Sequence, residues 1–275
     1  MIVNIICSYN ELRYLPKVVR YYQNQGIEVY VADNLSADGT WEWLNDNKIP
    51  CEQFDTDGCF DLVKQQKTRL KLIEKFPRAK WIIYGDADEF IVSKTPLTEV
   101  FSNNNLKKTR ANLLRMPSLN LKNTGETIKS DPTKNYFYYE QRKYSNEIIR
   151  VHKNLPNVRY GAEMGSIAGD IITFSGNNIK KDSVWSSADK IYDLGDALIL
   201  NYGATKSARH RTNLLKRRQK AWDRKLLPEN FGSHLIRGKK ANWKWEKDGL
   251  LDLREHELFS FIEKHIISIE NKKNL

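Results

Sequence analysis

An α/β fold is what this sequence predicts: a mixed sheet flanked by helices, with a basic helical extension at the C-terminal end. Three observations carry the expectation. The first 90 residues alternate apolar runs with amphipathic segments in the order β-α-β-α. The runs are nearly continuous in Ile and Val, as in strands buried on both faces. Polar, turn-rich stretches follow each of them.

The first strand is IVNIIC, residues 2–7, broken by SYNE. A helix follows, with Leu12, Leu15, Val18, Val19 and Tyr22 at helical spacing, Pro16 in its first turn and Gly26 as its stop. IEVYVAD, 27–33, is the second strand, and NLSADGT is a turn dense in Asn, Ser, Asp and Gly. TWEWLNDN reads as a second helix, CEQFDT as a short third strand, and residues 60–76 as a third helix. KWIIYG is the fourth strand, with DADEF just beyond its carboxyl end. After residue 95 the segments ANLLRMP, YFYYEQ, EIIRVH and IITFSG read as short strands in mixed arrangement, and ALILNYG, 197–203, as a last strand. A basic helix over 206–226 and a closing amphipathic helix over 253–269 complete the chain.

Composition narrows the class. The chain has 275 residues, 40% hydrophobic, which suits one sizeable domain or one with an appendage. Three cysteines, Cys7, Cys51 and Cys59, argue against a disulfide framework or a zinc knuckle and fit a reducing cytoplasm. The first residues lack the basic region of a signal peptide, and no run reaches the roughly 18 apolar residues of a membrane span. The net charge of +11 is concentrated: residues 205–247 hold 14 Lys and Arg against Asp223, Glu229 and Glu246, leaving 31 bases and 31 acids elsewhere.

Asp86, Asp88 and Glu89 fall within four residues at a strand end. Carboxylates that close repel one another, so something must compensate. A divalent cation, Mg²⁺ or Mn²⁺, would do so, since both ions favour carboxylate and phosphate oxygens. The plainer alternative is a solvated acidic turn. A second D-x-D, Asp55 and Asp57 in DTDG, lacks a long strand before it and reads as a turn.

IICSYNE, VADNLSADGT and WIIYGDADEF together resemble the opening strand, the D-x-S-x-D-G-T turn and the D-x-D strand of family-2 type glycosyltransferases with the GT-A fold, in a form similar to a D-A-D-E-F subgroup. The resemblance covers residues 1 to about 92. It implies a GT-A-like catalytic domain over 1–204, with a nucleotide-binding half at 1–92 and an acceptor half at 93–204, followed by the basic region 205–275. It also implies a nucleoside-diphosphate sugar donor, UDP-sugar first among them, bound by Cys7, Tyr9, Asn10, Glu11, Asp33, Lys67, Asp86 and Ala87. Tyr9 would flank the base and Asp33 would bond the base or ribose; core packing and an Asx-turn are their structural alternatives. Asp86 and Asp88 would hold the metal. NYGATKS near 201–207 is similar to a H-Y-x-x-K-S segment in related enzymes, with Asn201 where those carry His. Asn201 is therefore a candidate third ligand, with His210 and His152 as replacements. An inverting transfer needs a general base, for which Glu163 and Asp170 are the candidates. Lys64, Lys67 and Arg69, on the helix before the D-x-D strand, could reach phosphates.

The basic segment contains Trp222, Trp243 and Trp245. Cations beside aromatics suit an anionic membrane surface at the inner face, or a glycan or lipid-linked acceptor. On the helix, Ala208, Leu215, Trp222 and Leu226 would pack inward, and Arg209, Lys216, Arg217, Lys220 and Arg224 would point outward. Nucleic-acid binding is the rival reading, but no helix-turn-helix, RNP or zinc signature accompanies the charge, so no nucleic-acid partner is expected. A nucleotidyltransferase is the third; it usually brings a Gly-rich loop after the first strand, and CSYNELRYLP has no glycine.

Overall fold

A computed structural model of the chain describes residues 1–103, 106, 113–122, 132–134, 137–139, 147–153, 164–165, 173–175, 178–180, 191–203, 208–226 and 250–269. The amino-terminal half follows the expected order: β1 (Ile2–Ser8), α1 (Leu15–Asn24), β2 (Glu28–Asp33), α2 (Thr40–Asp46), β3 (Cys51–Gln53), α3 (Leu62–Ile73) and β4 (Trp81–Ile83). β5 (Glu89–Ser93) follows at once, then α4 (Leu97–Val100) and β6 (Leu113–Asn120). The described strands continue with β7 (Tyr138–Tyr139), β8 (Glu147–Lys153), β9 (Met164–Gly165), β10 (Thr173–Ser175), β11 (Asn178–Lys180), β12 (Ile191–Asp193) and β13 (Ala197–Asn201). α5 (Ala208–Asp223), β14 (Leu251–Asp252) and α6 (Phe259–Ile262) close the set.

The main sheet runs β3-β2-β1-β4-β8-β6-β13-β5. Its first four strands are parallel, and β8 pairs antiparallel to β4 to begin the mixed half. β1 is buried on both faces, which explains its unbroken apolar run. Val3 and Ile5 pack with Leu72, Ile73, Ile82 and Tyr84 on the α3 side. Ile2 and Ile6 join Leu15, Val18, Val19 and Tyr22 of α1 in the larger core. Two tyrosines pin α1 across the sheet: Tyr21 donates to the carbonyl of Ile91 at 2.6 Å, and the Tyr22 hydroxyl accepts from the Ile91 amide at 3.0 Å.

One strand is added and one expectation is corrected. DADEF does lie just beyond β4, and its last two residues open a strand not read from the sequence: Glu89 begins β5, antiparallel to β13 and paired residue by residue from Glu89–Asn201 to Ser93–Ala197. The stretch Phe90-Ile91-Val92 is fully buried, and an apolar core strand offers its partners no solvent face to read by alternation. The closing segment is not one continuous helix. It is a 3₁₀ turn at Leu253–Glu255, the short α6 and a π-turn at Glu263–Ile267, which bury Leu253, Leu258, Ile262 and Ile266.

Candidate active site

β2 lies on one side of β1 and β4 on the other, so the chain leaves β1 and β4 in opposite directions. That reversal opens a crevice at the carboxyl ends of the two strands, the usual ligand position in an α/β sheet. A cavity of about 710 Å³ occupies it, lined by Cys7 to Glu11, by Ala37 and Asp38, by Arg69, by Asp86 to Asp88, by Asn201 and Gly203, and by Arg217 and Arg218 of α5. The parallel ladder reaches into it through a Cys7–Asp86 bridge. Gly85 allows the approach: a Cβ there would lie 2.4 Å from Asn4 Oδ1, which accepts from the Gly85 amide at 3.1 Å. Asn4 is wholly buried inside the apolar run of β1 and was not singled out by sequence.

The three carboxylates of DADEF sit in three different surroundings. Asp86 is paired with the guanidinium of Arg69 at 3.2 Å; the Arg69 side chain is 4% exposed and that of Asp86 45%. Arg69 also donates to the Gly85 carbonyl and lies 5.7 Å from the Tyr84 ring centroid. Glu89 is buried and accepts from Asn201 Nδ2 at 2.7 Å. That bond fixes the Asn201 amide, whose Oδ1 accepts from the Gly203 amide at 2.7 Å. Asp88, 6% exposed, faces the same glycine: a Cβ on Gly203 would sit 3.3 Å from Asp88 Oδ2 and 2.9 Å from Asn201 Oδ1. Two oxygens thus converge over Gly203 on the cavity wall. An amide oxygen has a second lone pair, so Asn201 Oδ1 can accept from Gly203 and still ligate. All these donors are oxygens, the set a hard cation takes. Among the described residues no three His, Cys, Asp or Glu side chains gather as a metal cluster, so any such site needs Asn201 or further oxygens.

Asp33 lies behind the wall rather than on it. It is 0% exposed and accepts from Ser8 Oγ at 2.9 Å, Ser36 Oγ at 2.6 Å and the Ser36 amide at 2.9 Å. Both carboxylate oxygens are engaged within the protein, and the two Ser36 bonds shape the turn after β2. The loop after β1 is knitted to that turn. Asn10 takes the Ser36 hydroxyl through its amide at 2.8 Å and the Ala37 amide through Oδ1 at 2.8 Å, and Glu11 bonds Thr40 Oγ1. Asn10 and Glu11 do line the cavity.

α5 corrects the largest misreading. Arg217 does not point outward; it is 7% exposed, and its guanidinium lies 3.6 Å from the Tyr9 ring centroid. Its Nη2 donates to Thr56 Oγ1 at 3.2 Å and the Cys59 carbonyl at 2.8 Å. Burial holds this guanidinium below the usual arginine value, an effect the neighbouring Tyr9 and Cys59 partly offset. Lys220 donates to the Asp57 carbonyl at 2.6 Å, and Arg224 pairs with the Asp57 carboxylate. The second D-x-D is indeed a turn, and it is the dock for α5. The helix is therefore a wall of the cavity, not an extension appended to the domain. Tyr9, placed for a nucleobase, gives one ring face to Arg217.

Other candidates fall elsewhere. Ala87 and Cys7 line the cavity, whereas Lys64 and Lys67 are exposed on α3. Glu163, Asp170, Trp243 and Trp245 lie outside the described residues, as do the side chains of His152, His210 and Trp222. Among the described residues no helix is long and apolar enough to cross a membrane.

No protein-family model matches the chain, and no curated protein matches it. Solved structures that resemble it include S. aureus TarS, at 13% identity and a TM-score of 0.46, covering 88% of this chain. The chain spans 44% of the length of that structure. TarS 1–349 matches at 13% identity and a TM-score of 0.42, covering 99% of this chain and 75% of the other. The complex of TarS 1–349 with UDP matches at 13% identity and 0.42, covering 85% and 74%.

Proposed function

We propose that the chain is a metal-dependent glycosyltransferase, moving a sugar from a nucleoside-diphosphate sugar to an acceptor hydroxyl with inversion. UDP-sugars are the first donors to test. The observation that carries the reading is the convergence of Asp88 and Asn201 oxygens over Gly203, beside Asp86, in the crevice between β1 and β4.

Asp88, Asp86 and Asn201 would hold Mn²⁺ or Mg²⁺, with His210 as a further candidate. Such an ion, when bound, supplies Lewis-acid charge to a departing diphosphate. Arg69 pairs with Asp86 on the wall of the crevice. Tyr9 offers its remaining ring face and edge to the base. Asn10 and Glu11 position that loop through their bonds to Ser36, Ala37 and Thr40. Asp33 acts one layer back, by holding Ser8 and Ser36. Glu163 or Asp170 would take the acceptor proton. The acceptor is a glycan or lipid-linked glycan, in cell-surface polysaccharide synthesis at the inner membrane face. The inward basic face of α5 weighs against a nucleic-acid stripe, since Arg217, Lys220 and Arg224 all contact the Thr56–Cys59 turn.

A thermal-shift panel of nucleotide sugars with Mn²⁺ tests this. A donor at 100 times its Kd should stabilise the fold by about 2.7 kcal/mol, seen as a raised Tm that EDTA reduces. A panel in which no nucleotide sugar moves the Tm would reject the reading.

A further inference from the structure

We infer that α5 supplies a metal-independent phosphate subsite, centred on Arg217, for the diphosphate of the donor. The inference rests on the nucleotide-sugar reading above and goes beyond it, because that reading needs only the carboxylate wall.

Arg217 is buried on the cavity wall, and among the described residues its contacts are all to neutral groups: the Thr56 hydroxyl, the Cys59 carbonyl and the face of Tyr9. Its Nε has no hydrogen-bond partner among the described residues. A guanidinium taken out of water without a counter-charge is costly unless an anion completes it. Arg218, the next residue, lines the same cavity, with its guanidinium 4.8 Å from the Phe60 ring centroid. Asp86 and Asp88 line the same cavity. The cations of the helix make its side of the cavity the one suited to a dianion, which carboxylates alone would repel. The planar fork of arginine matches phosphate oxygens. The donor is favoured over an anionic acceptor as the source because Arg217 stacks on Tyr9, at the nucleotide end of the crevice.

The test is calorimetric titration of the full chain in EDTA with UDP, uridine and inorganic pyrophosphate. UDP should bind about 10- to 100-fold more tightly than uridine, and pyrophosphate should compete with it. Arg217→Met should remove most of that advantage, read as the ratio of UDP to uridine affinity, while Arg217→Lys keeps part of it. Arg217 also ties α5 to its turn, so Arg218→Gln is the second variant, expected to weaken UDP and pyrophosphate but not uridine. UDP binding no tighter than uridine in EDTA would overturn the subsite, as would unchanged UDP affinity in either neutral variant. UDP binding that appears only with Mn²⁺ rejects the subsite and leaves the donor reading standing. Pyrophosphate binding with no nucleotide binding under any condition rejects the donor as its source.

Discussion

Asp86 and Asp88 are one residue apart and live in different surroundings. Asp86 is half-exposed and held by a buried arginine, whereas Asp88 is nearly buried and faces Asn201 across a glycine. The acidic crowding visible in sequence is thus divided among Arg69, Asn201 and the cavity. Asp33 shows the limit of motif reasoning at this scale. Its place after β2 pointed to the nucleoside, yet the same position serves an Asx-type turn, and only burial separates the two. Asp33→Ala removes the acceptor of the buried Ser8 hydroxyl and of the half-buried Ser36 hydroxyl. Chemical denaturation should report a loss of about 1–3 kcal/mol, the penalty for leaving buried groups unpaired. A variant as stable as the parent, with nucleotide affinity alone reduced, would return Asp33 to the ligand. Asn4 was not legible, because a single polar residue in an apolar run looks like noise until Gly85 is seen against it.

At the scale of elements, β1 to β4 and α1 to α3 were legible because each carries its own signal: doubly buried strands, amphipathic helices and polar turns at the ligand edge. α5 was legible as a helix but not in its orientation. Ala208, Leu215, Trp222 and Leu226 marked an apolar stripe, but among the side chains described on this helix Arg217 and Ala221, four residues apart, are the buried ones. Stacking on Tyr9 and hydrogen bonds to Thr56 and Cys59 turn that face inward, and hydrophobic periodicity has no access to such contacts. The C-terminal elements carry a pH signature of their own. His256 Nδ1 accepts from the Leu258 amide at 3.2 Å, which requires a neutral ring. Burial lowers the pKa of His256 and of His265 below 6.5. The unfolded chain then binds more protons than the folded one just below pH 6.5, so stability is complete above that pH and is lost as pH falls through the folded pKa values. Tm should rise from pH 5.5 to pH 7, and His256→Asn should flatten part of the slope. A Tm that falls over this range would contradict the assignment.

For the whole molecule, a parallel amino-terminal half-sheet and a mixed second half meet at one crevice, and α5 forms part of its wall. The +11 charge is therefore partly architectural: buried Arg217, half-buried Lys220 and exposed Arg224 all bond the Asp55–Cys59 turn and hold α5 to it. Sequence located that charge by counting, but counting carries no direction, and the DTDG turn that receives it is 160 residues distant. The central claim is that Asp88 anchors metal-assisted transfer from a nucleoside-diphosphate sugar. It is tested most directly by the rate of nucleoside-diphosphate release from a nucleotide-sugar panel, for the parent chain with Mn²⁺, the parent chain in EDTA, and Asp88→Ala with Mn²⁺. The account predicts release by the parent with Mn²⁺ and a drop on the order of 100-fold or more in the other two, with the Tm of Asp88→Ala near that of the parent. Undiminished release in EDTA or in a folded Asp88→Ala variant would contradict it.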